Sequence, residues 1–382
     1  MLLQKFCDRM SVMKLNNPFV IRGYAGPEYF CDRDAETKKL LSALRNERDV
    51  TLIAPRRYGK TGLIHHVLGK LPRDTTGIYL DIFSQTDLKS FTKALASSVI
   101  GSLDSKVETA LTNVGRFFKS CRPTVTPQAE GWPKFSFDVV DANAEATLAE
   151  IFAYLKSKDR RVVIAIDEFQ QISEFPERGV EALLRSQIQL LPNVRFIFAG
   201  SRKHLMEEMF ASPQRPFFQS TQILSLREID SAAYETFARR FFEERGLPFE
   251  SSPFQRIYRR FEGVTWYVQA TLSRIWEMGE GLTNERIVDE AVRTLVEDNL
   301  LVYSDLLRTQ NEGSRMLLKA VAREGKVAAV SAGAFVAKYG LKAASSAAFA
   351  LEDLRKKELV YETAEGWIVY DRLFGEYLKS IA

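Results

Sequence analysis

Lys60 and Thr61 lie in a stretch whose residue types and spacing are those of a phosphate-binding loop. The stretch reads Ala54-Pro55-Arg56-Arg57-Tyr58-Gly59-Lys60-Thr61-Gly62. An apolar run of strand type precedes it and a helical pattern follows. In such a loop, backbone N–H groups at a helix N-terminus surround phosphate oxygens. We expect residues 55–62 to bind a nucleotide, with Lys60 reaching the β and γ phosphates and Thr61 offering its hydroxyl to Mg²⁺.

The first position of the loop departs from the usual pattern, because Ala54 stands where glycine is customary. A methyl group is compatible with a negative φ, whereas Gly59 lies where the backbone approaches phosphate most closely. The alternative is a chance meeting of strand, arginine-rich turn and helix around Gly-Lys-Thr. A second motif favours the phosphate loop.

That second motif is the acidic pair Asp167 and Glu168, which follows the apolar run from Arg161 to Ile166. An unbroken apolar run indicates a parallel strand buried on both faces. Ligands bind at the carboxyl ends of such strands. We expect Asp167 to hold Mg²⁺, directly or through water, and Glu168 to polarise the water that attacks the γ phosphate. The alternative is an ordinary solvated turn.

Two polar residues, Ser201 and Arg202, directly follow another strand pattern, Asn193 to Gly200. One of them is expected to sense the γ phosphate if this strand lies beside the strand that ends in Asp167. A simple turn is the alternative. Arg215, in a later loop, is interpreted as a solvated arginine, with a phosphate or a neighbouring subunit as its alternative partners.

An aromatic loop and a helix precede the phosphate loop. Tyr29, Phe30 and Arg33 are candidates for contacts to the nucleotide base, although Phe30 could equally anchor the loop in the core. Asp34 is the expected N-cap of the helix that ends near Arg45.

Elsewhere in the first part of the chain, strand and helix patterns alternate, which is typical of a parallel α/β sheet. We predict a hairpin-like insertion at about 121–140, where prolines and glycine separate two short alternating runs. The remaining predicted elements are strands at 77–82 and 221–224 and helices at 87–102, 107–118, 144–156 and 180–190.

Beyond Asp230 the pattern becomes helical, so a boundary is expected near residue 228. The predicted helices span 232–245, 253–262, 265–278 and 284–307. A winged helix-turn-helix is predicted after these helices. It consists of three helices at 314–323, 331–339 and 345–357 and two strands at 358–361 and 366–370. Ser345 or Ser346 is the expected cap of its third helix.

The winged helix could contact DNA through residues 331–370 or serve as a protein-contact module. Its third helix starts with alanine and serine, and its basic residues, Arg355, Lys356 and Lys357, come at the far end. The weak positive balance of this segment neither establishes nor excludes phosphate contacts.

Composition sets broad limits on function. The chain has 382 residues, 46% hydrophobic and 27% charged, which leads us to expect two or three domains. A net charge of +4, from 53 basic and 49 acidic residues, does not argue for nucleic acid. No apolar run is long enough for a membrane helix, so we expect a cytoplasmic protein without membrane contact. The three cysteines and three histidines lack the spacing of a metal cluster.

These motifs together resemble those of the archaeal-type ATPases, a branch of the STAND group related to AAA+ proteins. The resemblance covers nearly the whole chain. It rests on the phosphate loop and on four other segments: Phe30-Cys31-Asp32-Arg33, Ile166-Asp167-Glu168-Phe169-Gln170, Gly200-Ser201 and Tyr370-Asp371-Arg372-Leu373-Phe374.

The resemblance implies an ATP-hydrolysing core, a helical lid and a C-terminal winged helix, with nucleotide state switching interdomain contacts. Gly263-Val264-Thr265-Trp266 stands where related chains often carry Gly-x-Pro against the nucleotide. No histidine follows residue 204, so a winged-helix histidine cannot contact phosphate as it does in eukaryotic relatives.

The sequence therefore predicts an α/β P-loop core with a parallel sheet at 1–228, a helical lid at 229–308 and a winged helix at 309–382. The predicted function is Mg²⁺-dependent ATP hydrolysis that drives a conformational switch, slow without a protein partner or self-association. The alternative is a DNA-binding initiator or regulator in which ATP only sets conformation. A kinase is disfavoured, because Glu168 suits the activation of water.

Overall fold

A computed structural model describes residues 15–104, 116–126, 134–139 and 143–381. The chain divides into two compact units, residues 1–229 and 230–382. The predicted helix at 107–118 lies almost wholly outside the described residues.

The core of the first unit is a five-stranded sheet. The strands of the chain are β1 Val50–Ile53, β2 Thr75–Asp81, β3 Cys121–Thr126, β4 Lys134–Val139, β5 Arg161–Asp167, β6 Val194–Gly200, β7 Gln222–Ser225, β8 Val360–Thr363 and β9 Gly366–Val369. Neighbouring strands are parallel throughout the order β2-β5-β6-β1-β7. The predicted parallel sheet is confirmed. Because β6 lies between β1 and β5, the segments that follow these three strands meet at one edge.

Helices connect the strands of this sheet. In the first unit they are α1 Asp34–Arg45, α2 Lys60–Gly69, α3 Leu88–Leu103, α4 Ala144–Lys156, α5 Val180–Ile188 and α6 Lys203–Ala211, with a 3₁₀ helix at Phe169–Glu174. The prediction that Asp34 caps α1 is wrong. Asp34 is the first residue of the helix, and Arg33, in a left-handed conformation, precedes it.

In the segment where the sequence predicts a hairpin-like insertion, β3 and β4 pair antiparallel. Phe137 and Val139 of β4 are almost fully buried in the core of the first unit, where β4 lies against α3. Through these two side chains β4 contributes to the core of the first unit.

The second unit is helical apart from one small sheet. Its helices are α7 Ser231–Glu244, α8 Ser251–Arg260, α9 Thr265–Met278, α10 Glu285–Glu297, α11 Leu300–Arg308, α12 Glu312–Glu324, α13 Gly333–Lys338, α14 Ala344–Lys356 and α15 Arg372–Ser380. The single helix predicted at 284–307 is in fact two. α10 ends at Glu297, and Asn299, whose side chain donates to the carbonyl of Leu295 at 2.8 Å, is the N-cap of α11.

The winged helix consists of α12 to α14 with the antiparallel pair β8 and β9. The predicted serine cap of α14 is wrong. Ala343 is the N-cap and makes no side-chain hydrogen bond, so Ser345 and Ser346 lie inside the first turn. The sequence prediction also missed α15, whose N-cap Asp371 accepts hydrogen bonds from the amides of Leu373 and Phe374.

Candidate functional site

The loop between β1 and α2 ends in a geometry suited to anions. Gly59, at φ 86°, is the left-handed N-cap of α2, and Arg57 is left-handed at φ 73°. The amide of Leu63 donates to the carbonyl of Gly59 at 3.0 Å. The N–H groups before Leu63 have no acceptor within the helix, and with the helix dipole they favour negative charge.

Lys60 is buried in this loop, with 6% of its surface exposed. Its Nζ donates to the carbonyl of Ala54 at 3.2 Å and lies 3.9 Å from Oε1 of Glu168. Burial lowers the pKa of Lys60, while the charges of Glu168 and Asp167 oppose that shift. A buried ammonium with few partners gains most from an added anion.

Asp167 joins the end of β5 to the loop. Its Oδ2 accepts hydrogen bonds from the Thr61 hydroxyl at 2.7 Å and the Tyr79 hydroxyl at 3.1 Å. Its Oδ1 accepts from the amide of Glu168 at 3.0 Å. The side chain is 3% exposed. The structure thus brings together the two residues predicted to hold Mg²⁺.

The side chain of Glu168, which lies near Lys60, is held by two hydrogen bonds. The backbone of Glu168 is left-handed, at φ 57°, and Oε2 of its side chain accepts a hydrogen bond from the Ser201 hydroxyl at 2.6 Å. The Gln170 amide donates to the same oxygen. Ser201 therefore lies beside the acid pair, as expected for a residue at the end of β6.

The two candidate arginines have other partners. Arg202 pairs with Glu174 in the 3₁₀ helix. Arg215 pairs with Glu181 at 2.6 Å and with Glu208 at 3.5 Å. Of the pair predicted to sense phosphate, the structure places Ser201, and not Arg202, in contact with Glu168.

The predicted base-contact residues surround the loop in different ways. Arg33, 3% exposed, donates to the carbonyl of Tyr58 at 3.2 Å and pairs with Glu36 at 3.0 Å. Phe30 is half-buried and stacks on His66, with ring centroids 4.3 Å apart. A methyl group on Gly62 would lie 3.4 Å from the Phe30 ring. Phe30 therefore lies against the start of α2.

Three residues at this edge were missed by sequence reasoning: Tyr79, Asp81 and Gln170. Tyr79 and Asp81 share one face of β2, and Asp81 is the register partner of Asp167. Burial raises the pKa of Asp81, as do the charges of Asp167 and Glu168. The sequence did contain a signal, since Tyr79 and Asp81 are polar residues at alternate positions of an apolar strand. It did not show that β2 pairs with β5, which is what brings these residues to Asp167.

The residues present fit Mg²⁺ only together with a phosphate ligand. Among the described residues, no group of three or more His, Cys, Asp or Glu side chains could hold a metal. Asp167 and Thr61 provide one carboxylate and one hydroxyl, 2.7 Å apart. Mg²⁺ is commonly bound by one or two carboxylates, with substrate phosphates and water completing its octahedron.

This parallel sheet, with the loop before α2 and the acid pair after β5, defines a P-loop ATPase fold joined to a winged helix. The chain belongs to the family described as "ATPase domain predominantly from Archaea", whose model matches residues 30–270. A second model, "Probable winged helix domain", matches residues 301–380. Both agree with the resemblance seen in the sequence, and the family implies nucleotide binding.

Solved structures show the same fold over nearly the whole chain. The Walker-type ATPase PABY2304 of Pyrococcus abyssi has a TM-score of 0.65 and 18% identity, over 95% of this chain and 99% of that one. The Aeropyrum pernix ORC2 protein, in ADPNP–ADP complexes, has a TM-score of 0.57 and 15% identity, over 91% and 92%. The Aeropyrum pernix ORC1 protein, in complex with DNA, has a TM-score of 0.50 and 15% identity, over 97% and 98%. No curated protein matches the chain.

Across the described part of the chain, none of the helices has the length and apolar character needed to cross a membrane.

Proposed function

We propose that this protein is an Mg²⁺-dependent ATPase whose nucleotide state drives a conformational switch involving the winged helix. The observation that carries the proposal is the 2.7 Å hydrogen bond from Thr61 to Asp167. It joins the phosphate loop to the acid pair, so that one bound nucleotide could contact both. Family membership supports nucleotide binding independently.

Each residue of the site has a role in this proposal. The backbone of residues 55–62 and the ammonium of Lys60 bind phosphate oxygens. Thr61 and Asp167 would hold Mg²⁺, which neutralises phosphate charge when bound. Glu168 orients and polarises the attacking water. Arg33 supports the loop through the Tyr58 carbonyl, and Phe30 flanks the nucleotide side of α2.

Slow basal turnover is part of the proposal. Oε2 of Glu168 is held by the Ser201 hydroxyl and the Gln170 amide, while Lys60 lies near Oε1. A carboxylate whose oxygens have these partners has fewer lone pairs left to orient an attacking water. We propose that ATP draws Lys60 and Ser201 toward phosphate, and that a partner or self-association completes the release of Glu168.

Two substitutions separate binding from turnover. Lys60→Ala should weaken nucleotide binding at least tenfold, because a charge-assisted phosphate contact is lost. Glu168→Gln should keep ATP affinity while lowering phosphate release about 100-fold or more, the usual contribution of a general base. Titration with a fluorescent ATP analogue and a phosphate-release assay measure the two effects.

Lys203→Ala is the matched control for the loss of a lysine, since Lys203 is 64% exposed and pairs with Glu207 on α6. It should change neither affinity nor rate. Fast phosphate release that Lys60→Ala leaves intact would refute the assignment.

A further inference from the structure

We propose that Tyr79 is a positioning residue for Asp167 and sets the Mg²⁺ affinity of the site. This inference rests on the proposed function and concerns the same metal. Tyr79 lies on β2, whose register places Asp81 opposite Asp167, so its hydroxyl reaches the acid from the neighbouring strand. No motif of the phosphate loop or of the acid pair includes it.

The contact is direct and partly buried. The Tyr79 hydroxyl donates to Oδ2 of Asp167 at 3.1 Å, beside the donation from Thr61. A tyrosine hydroxyl carries one hydrogen-bond donor, and here that donor is directed at the carboxylate of Asp167.

The hydrogen bonds that Asp167 accepts indicate which of its carboxylate oxygens still has a lone-pair site for a metal. A carboxylate offers about four lone-pair sites, two on each oxygen. Within the described residues, Thr61 and Tyr79 donate to Oδ2, and the amide of Glu168 donates to Oδ1. Oδ2 is thus fully engaged, and Oδ1 retains one site. Together with Thr61, Tyr79 fixes the rotation of the carboxylate, and the remaining site on Oδ1 is the one that could accept a metal or its water.

His65, on α2, holds the tyrosine ring in place. The ring centroids of His65 and Tyr79 are 4.4 Å apart, with their planes inclined by 42°. Burial lowers the pKa of His65, which favours the neutral ring. The imidazole therefore packs on Tyr79 without adding a competing charge beside Asp167. Groups that orient a metal ligand commonly change metal affinity by about 10-fold to 100-fold when removed.

The test compares the affinity for a non-hydrolysable ATP analogue in excess Mg²⁺ and in EDTA. In Tyr79→Phe, the gain in affinity due to Mg²⁺ should shrink by about tenfold. Affinity in EDTA should stay unchanged, because Lys60 and the loop backbone remain. The half-saturating Mg²⁺ concentration should rise by the same factor.

Tyr154→Phe is the matched control. The Tyr154 hydroxyl donates to Oδ2 of Asp104 at 2.6 Å, so the variant also removes a tyrosine–aspartate hydrogen bond in the same unit. It should lower the melting temperature and leave the Mg²⁺-dependent gain intact. If Tyr79→Phe does not fold, His65→Ala removes the packing ring while keeping the hydroxyl, and it should reduce the gain by about threefold.

The outcomes separate this inference from the proposed function. Suppose that Mg²⁺ increases ATP-analogue affinity in wild type and does so to the same extent in Tyr79→Phe, or in His65→Ala where that variant replaces it. This result overturns the proposed role of Tyr79 but leaves the proposed function standing. An equal loss of affinity in Mg²⁺ and in EDTA overturns the role of Tyr79 too, because a merely structural role would produce that result. A wild-type protein without any Mg²⁺-dependent gain overturns both proposals.

Discussion

Gln170 is the residue that most directly limits the freedom of Glu168. Its side chain is 2% exposed and donates to the carboxylate of Glu168. Replacement by methionine keeps the volume and removes the donor. In Gln170→Met, basal phosphate release should rise about tenfold, because a hydrogen bond to a charged group contributes about 1.5–3 kcal/mol.

Adding Glu168→Gln to that variant should abolish the increase, which a phosphate-release assay would show. An unchanged or lower rate in Gln170→Met would mean that the hydrogen bond aligns Glu168 for catalysis instead of restraining it.

The site residues that could be predicted from the sequence are those that belong to short contiguous motifs. Lys60 and Thr61 are adjacent in the loop, and Asp167 and Glu168 follow one strand, so their types and order sufficed. Tyr79 could not be found in this way. Its contact depends on β2 lying beside β5, which is a long-range pairing.

At the scale of elements, α2 carries a buried histidine, His66, that makes stability depend on pH. Nδ1 of His66 and the Tyr24 hydroxyl share a hydrogen bond of 2.8 Å, and His66 is 5% exposed. Burial, with a smaller effect of Lys70, lowers the pKa of His66 from 6.5 to about 4. The unfolded chain thus binds a proton at a pH where the folded chain does not.

The free energy of unfolding should therefore fall as pH drops from 6.5 toward 4 and should be insensitive to His66 above that window. In His66→Phe this fall should be smaller, as urea unfolding across the window would show. An identical pH dependence in both proteins would mean that His66 is not kept neutral by the fold.

Element types and approximate bounds were predictable, but helix ends and strand order were not. Periodicity gave the bounds of α4 and α9 because both are uninterrupted helices. It merged α10 with α11 because only Asp298 and Asn299 separate the two helices. It missed α15, a short helix of nine residues that follows its N-cap, Asp371, and buries Phe374.

At the scale of the molecule, the predicted lid and winged helix are linked within the second unit. Arg260 of α8 pairs with Glu376 of α15, and Arg372 pairs with Glu262. Burial disfavours the charged form of Glu376, but Arg260 and Lys379 outweigh this effect and lower its pKa. The Tyr267 hydroxyl accepts from the amide of Arg372 at 2.9 Å. We expect these two segments to respond to nucleotide as one body.

The basic residues at the end of α14 in the winged helix are paired with acidic residues of the same helix. Arg355 and Lys356 both pair with Glu352, and Lys357 pairs with Asp353, so the basic end of α14 is internally compensated. Phe349, on the same helix, is 77% exposed. An exposed aromatic ring on a charge-compensated helix suits a protein contact better than a phosphate backbone.

Replacing Arg355, Lys356 and Lys357 together by alanine should therefore change duplex DNA affinity less than threefold at moderate salt, because each contributes little to phosphate contacts. Phe349→Ser is the complementary variant and should leave DNA affinity unchanged. A steep salt dependence that the triple variant abolishes would favour the alternative of a DNA-binding regulator.

The central claim is that the phosphate loop and the acid pair form one Mg²⁺-ATP site. Its most direct test is the retention of ATP by the Glu168→Gln protein during gel filtration, with Mg²⁺ present or removed. We predict near-stoichiometric, unhydrolysed ATP on the protein with Mg²⁺, and loss of that ATP in EDTA or on adding Lys60→Ala. Retention that needs neither Mg²⁺ nor Lys60, or no retention at all, would contradict the account.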